Sequence, residues 1–294
     1  MDEPLRRTSD SISTPKFKVN CGVTHKNPTT QEWLTNLTYL KTIDKIKSKM
    51  TNKSILEGIF LKDRPVVVKI SNERENLEHE YAMYEELVKH NVVGIVHYYC
   101  YFECNDSIHR ALSETTTIPG LCNGPGKSMR ILVMDYIKNK SFGLHNWKDS
   151  LQIKSCIKQV ICTALDAYLK CGFIHGDLNC NNILIKNTSR KNAIYTFPNS
   201  QGNGNTDITI PLYGYKILLI DFECSKINAS VNEFYKCFRR EFTSSLINYI
   251  TRFDYINYNS ITDIGNKFNE YYTKAKDKED ALWILDIFQL IDKL

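Results

Sequence analysis

The chain has 294 residues with 42% hydrophobic and 11% aromatic content, enough for a sizeable core in one large domain or two lobes. Its formal charge of +5 comes from 38 basic and 33 acidic residues interspersed along the sequence, a balance that argues against nucleic-acid binding. No run approaches the ~18 apolar residues of a membrane span, and the start, MDEPLRRTSDSISTPKFK, lacks an apolar signal core, so an intracellular, cytoplasmic protein is expected.

Residues 1–29 are polar, carry Pro4, Pro15 and Pro28 and show no apolar period, so they read as a flexible tail. RRTS at Arg6–Ser9 matches a basophilic phosphorylation site, a pattern short enough to arise by chance. A helical segment is expected from Trp33. SILEGIFL and PVVVKI then read as two strands joined at Lys62, Asp63 and Arg64. The stretch NERENLEHEYAMYEELVKH sets Leu77, Tyr81, Tyr84, Leu87 and Val88 at helical spacing, with Glu80 beside that stripe. GIVHYYCYFE and MRILVMDYI follow as strands, separated by a polar loop at about 105–128 that is too long for a simple hairpin. His97, Cys100 and Cys104 lie close together in HYYCYFEC, yet the alternating aromatic residues make this a strand rather than a metal site.

DSLQIKSCIKQVICTALDAYLKCG places Ile153, Ile157, Val160, Ile161, Ala164, Leu165 and Tyr168 on one face, with Gly172 just past the end. This long core helix delivers the chain into FIHGDLNCNN. After NILI, an insertion running to PLYGY separates that strand from KILLID, and ALWILDIFQLI closes the chain with a helical pattern. The ten cysteines fall in apolar segments, as at Cys156, Cys162 and Cys171, without C-x-x-C pairs, and read as buried free thiols in a reducing compartment.

Two loop aspartates and an asparagine, each set at the end of an apolar strand or helix, suit a site for a phosphate-bound divalent metal and a hydroxyl nucleophile. Hard oxygen ligands of this kind favour Mg²⁺ over zinc. A lysine in VVVKI to hold phosphates and a glutamate on the next helix to orient it complete the parts for phosphoryl transfer. Lys69, Glu80, Met134-Asp135-Tyr136, Asp177, Asn182 and Asp221 fall in the order of the protein-kinase signature set.

On those residues the chain resembles the protein-kinase-like superfamily over about residues 45–250. The resemblance implies an α+β, two-lobed fold: a tail at 1–29, a small β-rich N-lobe and hinge at 30–137, and a reduced helical C-lobe at 138–294. It implies that Lys69 contacts the α- and β-phosphates and pairs with Glu80. LVMDYI would be a hinge that binds adenine through its backbone at Met134, Asp135, Tyr136 and Ile137, with Met134 as gatekeeper. Asp177 would accept the substrate hydroxyl proton, and Asn182 and Asp221 would bind Mg²⁺. His175 reads as packing behind the loop with no proton-transfer role, and Asn181 as a loop former.

The pattern also departs from the family. IKSKMTNKSILEG carries Ser48, Met50 and Lys53 where a glycine-rich lid would have glycines. Gly176 replaces the catalytic-loop arginine, Asn179 replaces a lysine, DFE replaces DFG, and the APE and D-x-W-x-x-G motifs are absent. Without that arginine, activity is expected not to depend on a phosphorylated activation loop. HGD with a short following segment resembles the atypical kinases and small-molecule phosphotransferases of the superfamily. PLYGYKILLIDFECS is similar to serine/threonine kinases of large DNA viruses. The resemblance implies an ATP- and Mg²⁺-dependent enzyme that moves the γ-phosphate to Ser or Thr of a protein substrate. It would act as a monomer in the cytoplasm, or in the host cytoplasm or virion if viral, with no nucleic-acid or membrane partner. The alternatives are a small-molecule kinase of aminoglycoside or choline type and a pseudokinase binding module.

Overall fold

The computed structural model describes residues 19–21, 37–44, 53–60, 64–71, 76–104, 129–138, 141–198, 204–253 and 258–294. The chain divides into two compact units, Met1–Glu85 with His97–Tyr136, and Glu86–Val96 with Ile137–Leu294. Both combine helix with antiparallel strands, the α+β class expected. Among the described residues no helix is long and apolar enough to cross a membrane.

The first unit is built on a six-stranded sheet. Its strands are β1 (Val19–Cys21), β2 (Leu37–Asp44), β3 (Lys53–Phe60), β4 (Arg64–Ser71), β5 (Tyr98–Cys104) and β6 (Met129–Asp135), in the order β1-β5-β6-β4-β3-β2. The helix expected from Trp33 falls partly outside the described residues, and where description resumes the chain is the strand β2 instead. Leu37, Leu40 and the branched Thr38 and Thr42 are compatible with that pairing, and the partner β3 supplies the backbone bonds. Ile131, Leu132, Val133 and Met134 are all buried, the continuous apolar run of a strand covered on both faces. The helix α1 (Asn76–Lys89) buries Leu77, Tyr81 and Tyr84. The Tyr84 ring stacks on Tyr98 at 4.7 Å, Tyr81 lies 6.0 Å from Tyr101, and the Tyr84 hydroxyl meets His97 Nδ1 at 2.7 Å. The aromatic alternation of β5 thus forms the floor on which α1 lies, which is a packing role and not a metal site.

The second unit is organised around α2 (Ser150–Cys171). Asp149 caps its start by accepting the Leu151 amide at 2.6 Å, and Gly172 ends it in the left-handed conformation at φ 64. Ile153, Ile157, Val160, Ile161 and Leu165 are fully buried, and each contributes about 1.5–3 kcal/mol of transfer free energy. Along the same helix Ser155, Gln159 and Thr163 recur at i, i+4 and i+8 and are buried too. They serve the strands beside them: Ser155 donates to the Pro211 carbonyl, and Gln159 donates to the Tyr215 carbonyl at 3.2 Å while accepting the Ile217 amide at 3.1 Å. Those strands are β7 (Ile183–Asn187), β8 (Asn192–Pro198), β9 (Asn205–Pro211) and β10 (Tyr215–Leu219). β7 pairs with β10, and β8 with β9 forms the inserted hairpin.

After β10 the chain enters α3 (Val231–Glu241), started by a capping box between Ser230 and Glu233. It continues as a π-helical stretch, Phe242–Ile247, and one α-turn, Asn248–Ile250. The Thr243 and Ser244 hydroxyls bond the carbonyls of Arg239 and Arg240, four residues back, in competition with the α-helical amides, which favours the wider π winding there. The chain then runs through α4 (Tyr258–Lys274), a 3₁₀ segment Lys278–Ile287 and α5 (Phe288–Asp292). The helical pattern expected for ALWILDIFQLI is therefore mostly of the tighter 3₁₀ form. Cys100, Cys156, Cys162, Cys171 and Cys180 are free and buried, Cys237 is free and half-buried, and Cys224 is free and exposed, contrary to the expectation of burial throughout.

Candidate active site

Each unit holds its own set of the residues singled out in the sequence. In the first, Lys69 lies on β4, an inner strand bonded to β3 and β6, with Ile55 and Leu132 as its register partners. Its ammonium donates to both Glu80 carboxylate oxygens, at 2.8 and 3.0 Å. Glu80 is fully buried and Lys69 is 12% exposed, so the pair is nearly dry and would be costly to break. The Tyr98 hydroxyl also donates to Glu80 Oε1 and helps fix the carboxylate. Sequence spacing shows the Lys–Glu pair; the tyrosine is a third member that it does not show.

The expected hinge continues β6. The Asp135 amide donates to the His97 carbonyl at 2.8 Å and the Tyr136 amide to the Pro65 carbonyl at 3.2 Å. These two amides are thus committed to the protein. Met134 is buried, and the Asp135 carboxylate accepts from the Tyr99 hydroxyl. Of the lid positions, Ser48 and Met50 lie outside the described residues, and Lys53 opens β3 opposite Ser71.

In the second unit the loop after α2 and the end of β10 converge. Asp177 is exposed; Asn182 is buried and donates through Nδ2 to the Asp177 carbonyl at 2.9 Å and to Asp177 Oδ2 at 3.1 Å. That orientation leaves Asn182 Oδ1 without a hydrogen-bond donor among the described residues, an oxygen of the kind that ligates a hard cation. The Ile220 amide donates to the Asn182 carbonyl at 3.1 Å, which brings Asp221 beside the loop. Asp221 sits in the left-handed region at φ 69 and ψ 68, and Phe222 after it is fully buried against Phe173 and His175. His175 Nε2 bonds the Ile220 carbonyl at 2.9 Å and so ties the same two segments from below.

The central part of the chain, residues 109–200, matches the family model of the RIO domain. RIO proteins are atypical protein kinases, and the match supports a kinase-like phosphotransferase. It spans the expected hinge and the 175–182 loop and does not reach Lys69, Glu80 or Asp221. Among solved structures, a crystallised kinase domain aligns with 87% of this chain and 89% of its own, at 12% identity and a TM-score of 0.42. No curated protein matches.

The departures in the loop have local reasons. Gly176 has φ +84, and a Cβ there would lie 2.0 Å from the Cys224 carbonyl oxygen, so the position has no room for an arginine or any other side chain. Gly176→Ala is expected to destabilise the protein by roughly 3 kcal/mol through strain and overpacking, read as a lower denaturant midpoint. Asn179 accepts the Asn181 amide at 2.9 Å and donates to the Asp177 carbonyl at 3.3 Å, shaping the turn rather than reaching outward like a lysine. Asn181 is exposed, as a loop former would be.

His175 is buried. With Nε2 donating to a carbonyl, its proton sits on Nε2, and Nδ1 is buried without a partner. Burial lowers its pKa below the ordinary imidazole value, more than the nearby Asp221 and Asp177 charges raise it. The folded state therefore disfavours the second proton that the unfolded chain accepts, and stability should fall as pH drops below about 6.5. Urea midpoints at pH 7.5 and 5.5 check this: wild type should lose more on acidification than His175→Gln.

Proposed function

We propose that the chain is an ATP- and Mg²⁺-dependent protein kinase of atypical type that phosphorylates Ser or Thr hydroxyls. The observation that carries the reading is the convergence of Asp177, Asn182 and Asp221 in one unit, with Asn182 holding Asp177 by its amide and keeping a carbonyl oxygen for a cation. Mg·ATP would supply the transferable phosphoryl group and the divalent charge that balances it. Asn182 Oδ1 and the Asp221 carboxylate are the ligands for the metal. Asp177, exposed at the loop surface, accepts the hydroxyl proton. Lys69, fixed by Glu80, places a positive charge for the α- and β-phosphates, and the hinge backbone at Met134 to Ile137 reads adenine.

Phosphorylation after DFE is not needed in this reading. Ser225 is buried and donates to the His175 carbonyl at 2.7 Å, Ser230 is the cap of α3, and Thr243 is bonded to Arg239. Each of these hydroxyls already does structural duty. The deciding experiment is transfer from radiolabelled ATP to generic proteins, aminoglycosides and choline, with and without Mg²⁺ and after phosphatase treatment. Labelled Ser or Thr in protein, Mg²⁺-dependent and insensitive to phosphatase, supports the proposal. Label on a small acceptor alone moves the chain to the small-molecule kinases, and ATP binding with no transfer makes it a binding module.

A further inference from the structure

The underside of the 176–180 loop is held by one face of the helix that follows β10. Burial alternates along the loop: Asp177 is exposed, Leu178 buried, Asn179 half-exposed and Cys180 buried, so every second residue points down. Beneath them Cys237, Arg240, Glu241 and Ser245 recur at the spacing of a single helix face that runs from α3 into the π-helical stretch. Arg240 donates to the Gly176 carbonyl at 3.3 Å, and the Gly176 amide lies against the Cys237 sulfur. The Leu178 amide lies against the Glu241 carboxylate. The Cys180 amide donates to Ser245 Oγ at 3.0 Å, and its thiol reaches the Ser245 carbonyl at 3.5 Å.

We infer that Glu241 and Ser245, which hold the backbone after Asp177, with Arg240 on the Gly176 carbonyl before it, are positioning residues that set Asp177. The inference rests on the phosphotransfer reading of Asp177, to which it adds residues that touch neither nucleotide nor acceptor. A buried carboxylate is an expensive way to fill space, since apolar groups of similar size would pack there at less cost. Its use under this loop is explained by the Leu178 amide that lies against it. Burial pushes the Glu241 carboxyl up, and the Cys237 thiol, the Leu178 amide and Arg240 hold it part-way back. The π winding matters to the same end, because it fixes where Ser245 falls under Cys180. Glu241 and Ser245 thus hold the two buried residues of the loop, one immediately after Asp177 and the other near its end.

The test combines steady-state phosphotransfer with residue-resolved amide exchange on full-length wild type, Glu241→Ala, Glu241→Gln and Ser245→Ala. Glu241→Ala should speed exchange at the Leu178 amide, and Ser245→Ala at the Cys180 amide, each by about tenfold or more, while the β7 amides stay protected. Both alanine variants should lower kcat by about tenfold to a hundredfold with KM for Mg·ATP moving less than about twofold, since only the placement of Asp177 is disturbed. Glu241→Gln keeps an acceptor oxygen and should regain most of the loss. Protection lost across β7 as well would mean general destabilisation and overturn the assignment, as would unchanged exchange at Leu178 and Cys180. Should Glu241→Ala not fold, Ser245→Ala decides: a wild-type kcat despite a loosened Cys180 amide overturns the inference. If wild type transfers no phosphoryl group, it is the phosphotransfer reading that falls, and exchange alone then shows whether this helix face holds the loop.

Discussion

Asp177→Asn and Asp221→Asn should each abolish phosphoryl transfer, and by different routes. Asp177 is exposed and its carbonyl and carboxylate are both held by Asn182, so an amide at 177 keeps the size of the group while losing the ability to take a proton. The expected loss in kcat is about a thousandfold, within the usual contribution of a positioned general base, with Mg·ATP affinity nearly intact. Asp221 occupies a left-handed backbone position that asparagine also tolerates, so Asp221→Asn removes a charge without disturbing the turn. It should weaken Mg·ATP binding as well as turnover. Calorimetric titration beside kinetics separates the two. A wild-type rate in the Asp177 variant would remove the proton-acceptor assignment, and unchanged Mg·ATP affinity in the Asp221 variant would remove the metal role.

Lys69→Met should cost both stability and activity, and only the first should be recoverable. The substitution leaves Glu80 fully buried without its cation, which is worth about 3–5 kcal/mol, partly offset by the hydroxyl of Tyr98 that remains. Adding Glu80→Leu removes the stranded carboxylate, so the double variant should regain most of the folding stability lost in the single one. Transfer should stay absent in both, because a methionine offers no charge to the phosphates. Denaturation midpoints and initial rates on the two singles and the double close the cycle. A double variant that recovers activity would mean that Lys69 serves the fold alone.

The regular elements were readable because their causes are local. The stripe Leu77, Tyr81 and Tyr84, the apolar run of β6 and the Asp149 and Gly172 ends of α2 follow from periodicity and capping, and the structure places them as those rules direct. The Lys69–Glu80 pair and the Asp177–Asn182 loop were legible through spacing within motifs. What spacing could not show was support from distant segments. Tyr98 under Glu80, Gln159 pinning β10 and Glu241 under Leu178 are polar residues inside apolar patterns, and their partners are backbone atoms or side chains far along the chain. A buried polar residue must be satisfied, yet the sequence does not say by what. The strand β2 was missed for a related reason, since its register comes from β3 and not from its own composition.

The position of α2 in chain order bears on how the protein is made. Its covering layers come from β8 and β9, from the 3₁₀ segment Lys278–Ile287 and from α5, where Asp292 bonds Lys158 at 2.6 Å and Lys154 at 3.0 Å. On a ribosome the helix emerges long before those last layers exist, a delay of roughly 5 to 20 s at ~5–20 residues per second. During that interval a helix that ends up largely buried has only part of its cover, so nascent chains arrested before Lys278 are expected to expose α2 to protease and to recruit chaperones, whereas chains extended past Asp292 should not. Translation speed over the codons for residues 172–292 would then bear directly on the yield of folded protein.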